Sequence, residues 1–169
     1  MSRWRPPQPK SSPYITHGGY VHLEQELKEL WRLRGEVVQA LSAAAAEGDR
    51  SENAEYIYRK KQLREMDSRI GYLQKRMPKL RVIAGPPPET HQVFFGAWVT
   101  IEDDKGSEHR YRIVGGDELD PAKGHISVDS PMACALLKHA ADDEVRLLTP
   151  EGEVRYFITE VRYAVEIDL

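Results

Sequence analysis

The stretch LEQELKELWRLRGEVVQALSAAAA, residues 23–46, decides the architecture, because its apolar positions recur in steps of three and four. Leu23, Leu27, Leu30, Val37, Leu41 and Ala44 fall on one seam, with Arg34 its polar member. Such spacing puts the residues on a single stripe of an α-helix, and the stripe must be covered by another helix. The pattern predicts a helix from about His17 to Glu47, with Thr16 where an N-cap would start it. A second seam runs through Tyr56, Leu63, Met66, Ile70, Leu73, Met77 and Leu80, with Arg59 the polar exception. Two such helices joined by a few residues have to turn back on each other and pack antiparallel. At ~1.5 Å rise per residue the predicted hairpin is about 45 Å long, against a radius of gyration of ~13 Å for a compact domain of about 100 residues. It is therefore expected to project, with its connecting turn at the far tip.

Around that hairpin, 169 residues leave room for one ordinary domain or two small ones, and 40% apolar content suffices for a core. The formal charge of -3 comes from 24 basic and 27 acidic residues, so any contact with nucleic acid has to come from a local patch. A single cysteine, Cys134, excludes an internal disulfide and is expected to be a small buried residue. No Cys/His set has zinc spacing. The leader MSRWRPPQPKSSP, residues 1–13, reads as an extended, poorly ordered arm whose Arg3, Trp4, Arg5 and Lys10 could touch a phosphate or an acidic protein. It has no apolar signal segment and the chain has no membrane-length run, so the expected location is the cytoplasm.

The hairpin is assigned to residues 14–84, its acidic tip to 47–56 and a linker to 85–91, where Pro86, Pro87 and Pro88 end any helix. From residue 92 to 169 the pattern changes to short alternating runs: VFFGAWVTIED, HRYRIVG, HISVD, EVRLLTP and EVRYFITEVRY. These predict strands, with DKGSE and TPEGE as hairpin turns. In SPMACALLKHA, Ser130 can cap, Pro131 suits the first helical position, and Ala133, Leu136 and Leu137 make an apolar face. The expected fold class is α+β: a helical hairpin followed by a small antiparallel sheet with one short helix. Phe94, Phe95, Trp98, Tyr111 and Tyr156 read as core and sheet-face residues, and the six histidines as surface or structural. Asp117, Glu118 and Asp120 could bind a cation, but read as turn and solvating residues.

The tip, AAAAEGDRSENAEY at residues 43–56, admits two readings. Asp49 and Glu52 can form a capping box, with Gly48 ending the first helix and the carboxylates complementing the second helix's dipole. Alternatively, they can hold a magnesium ion whose other ligands come from a partner, from phosphates or from water. Arg59, Lys60, Lys61 and Arg64 follow; Lys60 and Arg64 share a helical face. They make either a solvated flank or a phosphate-binding stripe.

GDRSENAEYIYRKKQLREMDSRI, FFGAWVTIED, GGDELDPAKGHISVDSPMACALL and DDEV resemble the bacterial GreA/GreB transcript cleavage factors, and the GreB branch more closely. The resemblance runs from about Tyr14 to Tyr163. It implies a coiled-coil hairpin followed by an FKBP-like domain that docks on RNA polymerase near the rim of its secondary channel, with the hairpin entering the channel. Docking is assigned to Asp129, Ser130 and Pro131. By the same resemblance, Asp49 and Glu52 recruit magnesium jointly with the polymerase, while Asn53, Glu55 and Tyr56 support the tip. Arg59, Lys60, Lys61 and Arg64 would contact the 3′ end of backtracked nascent RNA. The chain would then be a monomeric accessory factor without membrane contact, not an enzyme, and would bind no cofactor alone. Three rival readings are a channel-occupying inhibitor, a prolyl isomerase with a coiled-coil handle, and a dimerising or chaperone-like coiled coil.

Overall fold

The computed structural model describes residues 10–47 and 53–164. Two compact units emerge, one spanning Gly18–Leu80 and the other formed by the chain on either side of it.

In the first unit, α1 (His17–Ala46) and α2 (Ala54–Arg76) form the hairpin. Their antiparallel course follows from the cross-helix partners: Asn53 meets Ala44, Asp67 meets Arg34, and Arg69 meets Glu26. Leu23, Val37 and Ala44 of one seam and Met66, Ile70 and Leu73 of the other are buried. The polar member of the first seam is accommodated by charge, since Arg34 Nε lies 2.6 Å from Asp67 Oδ1. Arg69 grips Glu26 with two bonds, 2.6 and 3.0 Å, and this hydrogen bonding holds the Glu26 carboxyl below its usual value despite partial burial.

At 23 residues, α2 is shorter than the second seam suggests. Pro78 is the reason: it lacks an N–H and its ring crowds the preceding turn, so the chain tightens into a 3₁₀ turn at Met77–Lys79. Beyond it, residues assigned above to the hairpin are extended. β2 (Arg81–Ile83) pairs in parallel with β1 (Tyr14–Thr16), and Arg81 N–H donates to Pro13 O at 2.6 Å. Thr16, immediately before α1, also donates its hydroxyl to Glu118.

The second unit is built on a five-stranded sheet of order β5-β4-β3-β7-β6. Its strands are β3 (Ala97–Asp103), β4 (Glu108–Val114), β5 (His125–Ser127), β6 (Glu144–Thr149) and β7 (Gly152–Tyr163). The two predicted hairpin turns join β3 to β4 and β6 to β7. One pairing departs from the expected antiparallel pattern, because β5 runs parallel to β4. GGDELDPAKG supplies two 3₁₀ turns, Gly116–Glu118 and Pro121–Lys123, and this longer crossover returns the chain to the same end before β5 starts.

The short α3 (Pro131–Leu136) buries Ala133 and Leu136, which join Val93, Val99, Ile101, Ile113, Val145 and Ile158 in an aliphatic core. The aromatic residues read as core and sheet-face positions are half-buried: Tyr111 and Tyr156 pack against the core from their strands, Trp98 lies under Arg110 at 4.7 Å, and Phe95 meets Tyr14. Cys134 is exposed, contrary to the sequence expectation, because so short a helix has one buried face and Ala133 and Leu136 occupy it. Tyr163 closes the end of β7, accepting from Phe94 N–H at 2.9 Å and donating to the Gln92 carbonyl. Burial pushes its hydroxyl pKa upward. No helix among the described residues is long and apolar enough to cross a membrane.

Candidate functional site

The tip is organised by Asn53. Its backbone is extended, its side-chain oxygen accepts Tyr56 N–H at 3.1 Å, and its carbonyl accepts Ile57 N–H. Asn53 is therefore the N-cap of α2. Its amide nitrogen also donates to Ala44 O at 2.8 Å, in the last turn of α1, so one side chain ties both helix ends together. Asp49, Glu52 and Gly48 lie outside the described residues. Even so, the capping box assigned to Asp49 and Glu52 needs correction, because α2 starts at Ala54 and the cap its first turn requires is made by Asn53. Sequence reasoning placed the cap four residues too early. The signal was present in Asn53 itself, a preferred capping type immediately before Ala54-Glu55.

Asn53→Ala is expected to destabilise the hairpin by about 1 kcal/mol, within the ~0.5–2 kcal/mol range of lost caps. Asn53→Asp, which keeps the acceptor but loses the amide donor, should fall between it and the wild type. Urea unfolding followed by helical circular dichroism measures both; equal stability of all three proteins would remove Asn53 as the tie.

Beyond the cap, Glu55 Oε1 lies 2.8 Å from Arg59 Nε, an i,i+4 pair, and Arg59 also reaches Gln62 at 3.1 Å. Arg59, the polar exception in the second seam, is thus half-buried and partly neutralised. Tyr56 is half-buried with the Lys60 ammonium 5.9 Å from its ring centroid. Lys61 lies 3.9 Å from Glu65, and Arg64 is exposed. Ile57 and Tyr58 point outward, 54% and 59% exposed, with the Arg59 guanidinium over the Tyr58 ring at 5.5 Å. The first turns of α2 accordingly present cations and an accessible aromatic ring on a helix whose start is fixed by Asn53.

The three residues assigned to docking stand together at the start of α3 but do different things. Ser130 caps the helix, accepting Ala133 N–H at 3.2 Å, and Pro131 occupies its first position. Asp129 is exposed and accepts both Ser12 N–H, at 2.8 Å, and the Ser12 hydroxyl. Of the loop acids, Glu118 is a strut: its carboxylate accepts Gly115 N–H at 2.8 Å, Thr16 N–H at 3.0 Å and the Thr16 hydroxyl. The sequence reading as a turn or solvating residue missed that role because Thr16 is 102 positions away. Among the described residues no group of three or more His, Cys, Asp or Glu is arranged to hold a metal ion.

Comparison with known proteins bears on both units. The sequence profile described as "Transcription elongation factor, N-terminal" matches residues 13–82, and that described as "Transcription elongation factor, GreA/GreB, C-term" matches residues 88–163. The protein named "Transcription elongation factor GreB" from Pseudomonas aeruginosa is 53% identical over 164 residues, covering 96% of this chain and 98% of its own. Its counterpart from Xanthomonas axonopodis pv. citri is 55% identical over 166 residues, covering 97% and 99%. Among solved structures, the GreA/GreB factor from Nitrosomonas europaea superposes with a TM-score of 0.41 at 21% identity, covering 90% of this chain and all of that one.

Proposed function

The chain belongs to the GreA/GreB family of transcription elongation factors, and from that premise we propose that it inserts its hairpin into the secondary channel of RNA polymerase and stimulates cleavage of backtracked RNA. The observation that carries the reading is the double engagement of Asn53. One side chain caps α2 and holds the end of α1, so the N-cap of α2 is supplied by Asn53 and not by Asp49. On this reading the carboxylates of Asp49 and Glu52 would serve an intermolecular role.

Both residues offer hard anionic oxygen, the donor type magnesium takes, and magnesium is commonly held by one or two protein carboxylates with the remaining ligands from elsewhere. In two-metal phosphoryl transfer the ions activate water and steady the leaving oxygen of an in-line displacement. Asp49 and Glu52 would bring negative charge to the second ion's position in the polymerase. Asn53 fixes where the tip begins, and Glu55, tied to Arg59, orients the first turn. Lys60, Lys61 and Arg64 would offset RNA phosphates on the approach. On this reading the bond-breaking centre belongs to the polymerase and the chain is an accessory factor.

The test is addition of the protein to a backtracked bacterial polymerase complex carrying 3′-labelled RNA and magnesium. Short labelled fragments should be released and synthesis should resume. Arrest without release would overturn the proposal in favour of a channel-blocking inhibitor.

A further inference from the structure

Past the tip, the outward face of α2 does not revert to featureless solvated surface. Lys61, Arg64, Glu65, Ser68, Arg69 and Tyr72 line a shallow groove along it. Positions 61, 64, 68 and 72 are three and four apart, so they form one stripe, and the seam residues Met66, Ile70 and Leu73 lie off it. Tyr72 contributes nothing to the buried seam and is 44% exposed. Its ring is nonetheless placed: the Arg69 guanidinium sits 5.4 Å from the ring centroid while the same group grips Glu26 of α1. Between the cations and the ring stands Ser68, which is exposed and too small to close the groove. From Lys61 to Tyr72 the stripe extends about 16 Å at ~1.5 Å per residue.

Cations that follow a backbone, together with an accessible aromatic ring held in position, are what a single-stranded nucleic acid requires: phosphates meet the cations and a base stacks on the ring. We propose that Tyr72 extends the path of the extruded RNA strand along this groove, stacking on a base that lies 3′ of the nucleotides held at Lys61 and Arg64. The inference rests on the proposed function, and it makes Tyr72 a positioning residue for long extrusions only. A strand that has slid back by one or two nucleotides ends near the tip and never reaches Tyr72. One extruded by about ten nucleotides, within the site sizes single strands occupy, does.

Full-length Tyr72→Ala and Tyr72→Phe would be compared with wild type on polymerase complexes backtracked by a short and by a long step. The expected result is unchanged cleavage of the short complex and a drop of about fivefold or more for the long one with Tyr72→Ala, the lower end of what losing one base stack does. Tyr72→Phe, which keeps the ring, should restore the rate, and a photoreactive uridine in the extruded strand should crosslink to α2 in wild type. Wild-type rates on both complexes with Tyr72→Ala would overturn the groove while leaving the function standing. Equal loss on both, uncorrected by Tyr72→Phe and without an RNA crosslink, would also overturn it, pointing to polymerase protein as the occupant. Failure of the wild-type protein to cleave either complex would instead strike the underlying function.

Discussion

Asp49→Asn and Glu52→Gln are each expected to lower the rate of RNA cleavage by about 10²-fold or more while leaving the fold intact. The substitutions keep side-chain size and hydrogen-bonding reach and remove only the negative charge. If these carboxylates bring charge to a divalent ion, the loss falls on an interaction worth several kcal/mol, and each ~1.4 kcal/mol is a factor of ten in rate. The competing explanation makes a different forecast. Were they helix caps, substitution would cost hairpin stability, and Asn, itself a good cap, would be tolerated at 49. The structure gives the capping of α2 to Asn53, so neither variant should shift the urea midpoint. Measured together, cleavage and unfolding separate the cases: cleavage lost with stability kept supports magnesium recruitment. Wild-type cleavage by both variants would end it. A magnesium titration adds a directional check, because a weakened ligand set should need more of the ion and the variants' shortfall should narrow as its concentration rises.

The hairpin was legible because its signal is periodic and local. Leu23, Val37 and Ala44 announce their face by spacing alone, and the buried positions are the ones the seam contains. Arg34 shows how far the pattern can be trusted, since a cation in the seam is accommodated by Asp67 and does not end the helix. Where the reading failed, the deciding partner was distant or the element was short. β1 and β2 have three residues each, too few for an alternation to show, and they exist because each finds the other across more than sixty positions. Pro78 was a readable stop passed over because Met77 and Leu80 continued the seam. Cys134 follows the general rule for cysteines only when the helix has a second face to bury, and α3 does not. At the tip, residue types announced capping and metal chemistry together. Three-dimensional placement of Asn53 was needed to assign the N-cap of α2.

The GG pair in RIVGGDELD supplies the other large effect, and it concerns space and not backbone conformation. Gly115 has φ -72°, a value open to any residue, so alanine would meet no torsional objection. A Cβ there would nevertheless stand 2.0 Å from the Tyr14 carbonyl oxygen, which belongs to β1 and has no flexible side chain to retreat along. Accommodating it means moving β1 off the loop, and with β1 go its pairing with β2 and the Thr16 bonds to Glu118. Overpacking of this kind costs ~1–3 kcal/mol, and the lost hydrogen bonds add about 1 kcal/mol each. Gly115→Ala should therefore lower stability by about 3 kcal/mol and expose the amides of Thr16 and Arg81 to hydrogen exchange. Gly116→Ala is the internal control: its Cβ would meet the Ser11 hydroxyl at 2.5 Å, the end of an exposed side chain that can rotate away. Unfolding midpoints that rank Gly115→Ala far below a near-native Gly116→Ala would establish that the segment before α1 is clamped through its backbone. Equal midpoints would mean that β1 can be lifted from this loop without penalty, leaving Glu118 and the β2 pairing as ornaments of the fold and not its fastening.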